Sequence, residues 1–301
     1  MDENEHSQNT TDDPQACEVT FWGVRGSLPA PGPRTLRYGG NTSCVTLAVE
    51  GEPLFILDAG TGIKQLSRTL VAENRAQGFS ARIMITHPHW DHINALPFFA
   101  PFYLAGNDFE VFGASHGEMT LRDTVSAQMD GVYFPVTIKE FAANMSFRDL
   151  QEETIQLGKV RVGTMLLNHP GNTLGYRFDH RGRRVCYITD NELYLPDNPK
   201  HDDGYVERLA DFCHGADVMI ADTMYRDHEY PAKVNWGHSC PSQVADLAHR
   251  ANVKALYLFH HDPDQDDDAV DLKLDETKAH FERLGADTVC VCPAEGLTVR
   301  L

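Results

Sequence analysis

The chain has 301 residues, with 26 Lys and Arg against 44 Asp and Glu, for a formal net charge of −18. That length fits one large domain or two small ones, and 42% apolar with 23% charged residues is ordinary for a globular protein. Gripping a long phosphate backbone needs a basic surface, so the acidic balance disfavours long nucleic acid as a partner.

Residues 1–16, MDENEHSQNTTDDPQA, carry no basic n-region and no apolar run. They read as a disordered acidic tail rather than a signal peptide, ahead of one domain over 17–301. Short apolar runs of strand length follow at 19–24, 44–49, 54–57 and 82–86. Ile63, Leu66, Leu70 and Val71 form an apolar stripe that predicts a helix after the third run. The stretch 101–157 has weak periodicity and predicts helices and loops over one face. Further strand-like runs stand at 174–178, 185–189, 217–221, 255–259 and 288–292. Val244, Leu247 and Ala248 predict another helix, with Pro241 in its first turn. The order predicts an α/β domain. The longest apolar stretch, 95–106, holds Pro97 and Pro101 and falls short of the ~18–20 residues that span a bilayer. The seven cysteines are irregularly spaced without a CxxC pair, which suits a reduced cytoplasmic chain better than a disulfide framework. Cys290 and Cys292 read as strand core.

The densest chemistry is Thr86-His87-Pro88-His89-Trp90-Asp91-His92, directly after the run at 82–86. Three imidazoles and a carboxylate on a turn leaving a strand are donors suited to Zn²⁺ and similar ions. More candidates each end an apolar run: His169, Asp190, and His260 beside His261. Strand-end positions of this kind can share one sheet edge.

His87-x-His89-x-Asp91-His92, then His169, Asp190 and a late His, resembles the ligand series of the metallo-β-lactamase-fold hydrolases. The resemblance covers nearly the whole chain after the tail. It implies a four-layer αββα sandwich with a dinuclear site at one edge of its two sheets. It also implies that His87, His89 and His169 hold one divalent ion, that Asp91, His92 and the late His hold the other, and that Asp190 bridges them. Asp58, in Leu57-Asp58-Ala59-Gly60, resembles the family's Asp-Gly turn, which supports the ligand loop from behind. His89 stands where di-iron redox relatives usually carry Glu, which favours a hydrolytic Zn²⁺ site, with Mn²⁺ or a mixed pair as the other fits.

Phe21-Trp22-Gly23-Val24-Arg25-Gly26-Ser27 and Gly40-Asn41-Thr42-Ser43-Cys44 resemble the opening of the family's phosphodiesterase branch. That branch holds the tRNA 3′-processing endonuclease, ribonuclease Z, and small-molecule cyclic phosphodiesterases. Trp236-Gly237-His238-Ser239 resembles a His-Ser motif of the endonuclease, which implies His238 as a proton donor at the scissile phosphate. His260 follows His238 by 22 residues, the spacing the resemblance implies for the last ligand; His261 is the alternative. Asp222, at the end of an apolar run, is implied as the carboxylate partner of His238, with a turn cap as the other reading. The endonuclease carries a long tRNA-holding arm where only 20 residues separate His169 and Asp190 here. With the net charge, that turns the expectation from tRNA to a small or cyclic phosphodiester, attacked by a hydroxide between the two metals and oriented by Asp91 or Asp190. Hydrolysis of a carboxylic ester, thioester or lactone stays open, as does a non-catalytic sensor on the same fold. A homodimer is implied by the resembling enzymes, though no interface is readable. The acidic run 262–268 reads as a solvated loop, with Asp262 able to orient an imidazole. Trp22, Trp90, Tyr133 and Trp236 read as core or rim packing, with stacking on a base as the alternative. Residues 128–136 either wall a pocket or pack as a helix and turn.

Overall fold

A computed structural model describes residues 17–301; the acidic segment 1–16 lies outside the described residues. The chain opens with β1 (Cys17–Gly23), β2 (Cys44–Val49), β3 (Leu54–Leu57), α1 (Ile63–Ala72), β4 (Ser80–Met84) and the one-turn α2 (Trp90–Ile93). β5 (Asp108–Ala114), α3 (Leu121–Ala127), β6 (Asn144–Leu150), β7 (Thr154–Leu157), β8 (Val160–Leu166), β9 (Leu174–His180) and β10 (Arg183–Ile188) follow. The last third alternates α4 (Asp203–Cys213), β11 (Val218–Asp222), α5 (Pro241–Arg250), β12 (Ala255–Phe259), α6 (Asp267–Leu284), β13 (Val289–Val291) and β14 (Thr298–Arg300).

The strands form two seven-stranded sheets, ordered β14-β1-β2-β3-β4-β5-β6 and β13-β12-β11-β10-β9-β8-β7. Successive side chains on a strand point to opposite faces, and here both faces are covered. Val45, Leu47, Phe55 and Leu57 of the first sheet meet Tyr176, Phe178, Val185, Tyr187 and Phe259 of the second in the central core. Ile56, Ile83, Phe109 and Val111, on the outer face, pack with Ile63, Leu66 and Leu70 of α1. Cys186, Ile188, Leu256 and Leu258 do the same with α4, α5 and α6. The result is the expected αββα sandwich, and it explains why β10 and β12 read as continuous apolar runs instead of alternating ones.

Three expectations need correction. The stretch 101–157 is not only helix and loop: it carries β5, β6 and β7. β6 is an edge strand with mostly exposed or half-buried residues, so little of it had to be apolar and its period was weak. The acidic run 262–268 is not a solvated loop. Asp266 accepts from Ala269 N at 3.0 Å and caps α6, and Asp267 and Asp268 stand in its first turn, where the helix dipole favours negative charge. Asp267 is buried, accepts from Arg37 N at 2.8 Å and lies 3.8 Å from the Arg25 guanidinium. The Asp262 carboxylate accepts from Asp264 N and bonds to no imidazole among the described residues. Finally, Trp90, Tyr133 and Trp236 are 79%, 84% and 58% exposed. Only Trp22 packs as expected, half-buried with Nε1 donating to Thr46 Oγ1. In 128–136, Met129 is buried and Gly131, Val132 and Tyr133 are exposed. All seven cysteines are buried free thiols. No helix among the described residues is long and apolar enough to cross a membrane.

Candidate metal centre

Each candidate ligand stands where the chain leaves a strand at the same edge of the sandwich. β4 leads into His87 and His89, then α2 supplies Asp91 and His92. His169 follows β8, Asp190 follows β10, Asp222 ends β11 and His260 follows β12. Asp58, Asp190 and His260 take φ of 60°, 54° and 60°. This left-handed backbone is costly for residues with a Cβ, ~1–3 kcal/mol each, and it persists where packing over-determines it.

Three groups of donors result among the described residues: two meet at Asp190, and the third joins Asp222 and His238 to His260. In the first, His87 Nε2 and His89 Nδ1 are 2.9 Å apart, and His89 Nδ1 and His169 Nε2 are 3.1 Å apart. Asp190 Oδ2 lies 3.5 Å from His87 Nε2 and 3.7 Å from His169 Nε2. In the second, His92 Nε2 and His260 Nε2 are 3.2 Å apart, and each is 3.1 Å from Asp91 Oδ2. Asp190 Oδ1 is 3.3 Å from His92 Nε2 and 3.1 Å from His260 Nε2. Asp190 thus offers one oxygen to each of these two groups, and both could hold a metal ion.

The donor set fits such ions. Nitrogens ~2.0–2.1 Å from a tetrahedral Zn²⁺ stand about 3.3 Å apart, close to the spacings here. The far nitrogens are held as ligand histidines require. His92 Nδ1 donates to Asp58 Oδ2 at 2.8 Å, His169 Nδ1 donates to Gly237 O at 2.9 Å, and His87 Nδ1 is 3.1 Å from Thr86 Oγ1. Asp58 also accepts from Thr86 N and Tyr187 Oη, which ties the ligand loop to β10 from behind. Burial pushes His87 and His89 below the usual imidazole range, toward the neutral form that binds metal. Burial opposes charge on Asp91 and Asp190, yet the surrounding imidazoles hold both well below the usual carboxylate range. His92 is also buried, but Asp91, Asp190 and Asp58 lift it well above the usual range. A divalent ion would replace that proton.

The structure brings His260, not His261, to the cluster. His261 Nδ1 lies 3.2 Å from Lys273 Nζ, and that buried ammonium also donates to Thr223 O and Met224 O. His260 is boxed in by the opening segment: a Cβ on Gly26 would stand 2.3 Å from its ring. Ser27 N donates to Asp91 Oδ2 at 2.8 Å. Buried Arg25 holds this segment, donating to Gly39 O, Asp262 O and Gln265 O.

Asp222 and His238 meet as expected. His238 Nδ1 donates to Asp222 Oδ2 at 2.8 Å, with both residues buried. The other Asp222 oxygen accepts from Met224 N, which anchors the carboxylate. Burial disfavours the imidazolium, but Asp222, with Asp190 and Asp91 beyond it, pushes His238 up to about 9. Its ring centre is 5.1 Å from those of His169 and His260, so it faces both donor groups. Sequence reasoning missed Glu192, a buried carboxylate that accepts from Tyr230 Oη, Asn235 N and Gly237 N and so orders the loop before His238. Its position two residues after Asp190 was the available signal.

The model of the beta-lactamase superfamily domain matches residues 54–261. Ribonuclease Z of Thermoplasma acidophilum is 24% identical over 303 residues, covering 88% of this chain and 92% of that protein. Ribonuclease Z of Oceanobacillus iheyensis is 22% identical over 313 residues, covering 88% and 95%. Among solved structures, unliganded yeast PDE1 superposes with a TM-score of 0.70 at 15% identity, covering 95% of this chain and 100% of that one. The short form of human tRNase Z superposes with a TM-score of 0.65 at 21% identity, covering 94% and 98%.

Proposed function

This chain belongs to the beta-lactamase superfamily, and we propose that within it the protein is a dinuclear metal-dependent phosphodiesterase acting on small or cyclic phosphodiesters. The observation that carries this reading is the buried His238–Asp222 pair facing both donor groups. An acid beside the metals suits expulsion of an alkoxide from phosphorus. The names of the relatives, ribonuclease Z and a phosphodiesterase, point the same way.

His87, His89, His169 and Asp190 would hold one ion, and Asp91, His92, His260 and Asp190 the other, with Zn²⁺ the proposed metal. Such ions polarise a phosphoryl oxygen and lower the pKa of water from 15.7 to about 7. Asp190 sets the spacing of the two groups by lending one oxygen to each. Asp91, steadied by Ser27 N, lies where it can orient an attacking water. The Asp222 carboxylate at Nδ1 favours the imidazolium form of His238, so Nε2 also carries a proton, and His238 delivers that proton to the departing oxygen. General acid catalysis of this kind contributes ~10²–10⁴-fold.

A small substrate is favoured by the joint between His169 and Asp190. The two-residue turn Arg181-Gly182 links β9 to β10 directly, with no room for an RNA-holding arm. The second reading, tRNA 3′ processing, rests on the curated relatives' name. The reduced thiols support a cytoplasmic setting.

Metal-loaded protein is expected to hydrolyse bis(p-nitrophenyl) phosphate and 2′,3′-cyclic nucleotides faster than precursor tRNA, a thioester or a lactone. Turnover of the acyl substrates with none of the diesters would refute phosphodiesterase activity. Precursor tRNA as the best substrate would transfer the assignment to the second reading.

A further inference from the structure

The chain leaving β10 continues from Asp190 through three buried residues, Asn191, Glu192 and Leu193. Each is tied to loops that carry the neighbouring site residues. Asn191 N donates to Asp222 Oδ2 at 3.2 Å, and Asn191 Oδ1 accepts from Asn168 N, one residue before His169. Leu193 N donates to Ser239 Oγ, which itself donates to Asn191 O. Glu192 is the centre of this lacing. Its Oε1 accepts from Tyr230 Oη at 3.0 Å and from Asn235 N at 2.7 Å, and its Oε2 accepts from Gly237 N at 2.8 Å. All three donors are neutral, so no cation among them offsets the charge of this fully buried group. A buried carboxylate in that position is sustained by the hydrogen bonds aimed at it. A neutral amide of the same shape has only one acceptor oxygen and cannot serve both arms of the fork.

One arm of the fork ends on a peptide that serves two site residues. Glu192 Oε2 fixes Gly237 N, Gly237 O accepts from His169 Nδ1 at 2.9 Å, and the next residue is His238. Gly237 takes φ 87°, and a Cβ there would stand 2.3 Å from His169 Nδ1, so the peptide lies directly against that ring. The other arm holds Asn235, a residue with a Cβ at φ 71°. Two left-handed residues within three positions form a loop that backbone preference alone would not keep. The ring centres of His169 and His238 are 5.1 Å apart, so a small turn of the Gly237 peptide moves the acid relative to the donor groups. We infer that Glu192 is a positioning residue for the acid: by fixing the Gly237 peptide it sets where His238 stands beside the metal ligands. Glu192 follows Asp190 by two residues, so the bridging carboxylate and the acid take their places from one short piece of backbone. This rests on the phosphodiesterase reading and deepens it. Glu192 acts through His238 and not on the substrate.

Glu192→Gln keeps the shape of the side chain but turns an amide NH₂ toward one arm of the fork, where donor then faces donor. The test measures kcat and KM of the metal-loaded full chain on a 2′,3′-cyclic nucleotide and on bis(p-nitrophenyl) phosphate. Metal content is read on the same samples by elemental analysis. A misplacement of about 1 Å can cost ~10²-fold, so kcat on the cyclic nucleotide is expected to fall ~10–100-fold with KM changed less than about threefold. The nitrophenolate of the other diester leaves without a proton, so its kcat is expected to fall less than about threefold, with both ions retained. In the His238→Ala background the same substitution is expected to cost nothing further, because the residue it positions is gone. Glu192→Asp keeps the charge but withdraws it by one methylene. It is expected to show the same dependence on the leaving group, and it decides the matter if circular dichroism shows the Gln variant unfolded. Equal losses on the two diesters, a missing ion, or an undiminished loss in the His238→Ala background would overturn the positioning role and leave the phosphodiesterase reading standing. Unsubstituted protein that hydrolyses neither diester would overturn the parent reading.

Discussion

Replacing Asp222 by Asn tests the acid assignment most sharply. The His238–Asp222 contact is 2.8 Å and buried. Lifting the imidazole from 6.5 to about 9 corresponds to about 3 kcal/mol in favour of its charged form. Because the folded value is raised, the proton is held below about pH 9 and lost above it. Divalent ions held by Asp190 and Asp91 would offset those charges, so the alkaline limb of the loaded protein is expected below that value, while the Asp222 contribution remains. The Asn variant removes the charge and drops the limb further. It also leaves a donor short of an acceptor, because the carboxylate serves Asn191 N and Met224 N as well. That costs ~1–3 kcal/mol of stability. Near pH 8, kcat on a 2′,3′-cyclic nucleotide, whose ribose alkoxide needs a proton, is expected to fall ~10²–10⁴-fold. Bis(p-nitrophenyl) phosphate, whose nitrophenolate departs without one, is expected to lose far less. Equal losses on both substrates, an unmoved alkaline limb, or a metal ion missing from the variant would refute the reasoning.

His260→Ala is expected to lower the metal content from two ions per chain to about one, read by elemental analysis, whereas His238→Ala keeps both. Gly26→Ala puts a methyl 2.3 Å from the His260 ring, so it is expected to weaken metal binding at the Asp91–His92–His260 group while the far-ultraviolet circular dichroism stays native. Asp58→Ala strands Thr86 N, His92 Nδ1 and Tyr187 Oη in the interior; urea unfolding is expected to show a loss of about 3–5 kcal/mol. Chelation is expected to lower the unfolding free energy by about 2.7 kcal/mol per ion relative to protein held at a free metal concentration a hundredfold above Kd.

Most strands were legible because the core demands it. β2, β3 and β12 coincide with apolar runs at 44–49, 54–57 and 255–259, since central strands buried on both faces tolerate little else. β6 escaped because an edge strand obeys that demand on one side only. α6 escaped because its opening is acidic: the charges that resembled a solvated loop are its cap and first turn. The exposed Trp90 and Trp236 show the converse limit, for nothing local distinguishes an indole facing solvent from one in the core.

By itself the sequence determined the donor chemistry: imidazoles and carboxylates at strand ends, a dense His-Asp loop after a β-run, and no thiol in the series. It could not choose between His260 and His261, adjacent residues of one type. The tertiary structure decided that by turning His260 through a left-handed φ into the space that Gly26 leaves open and handing His261 to Lys273. It also decided that Asp222 is the partner of His238 and that the Asp262 carboxylate is bonded to Asp264 N and not to an imidazole of the His260–His261 pair. Ligand type is a property of a residue and survives in the sequence, whereas convergence depends on which strand ends the sheet order makes neighbours. β10, β11 and β12 are neighbours through parallel pairing within the second sheet, although helices separate them along the chain.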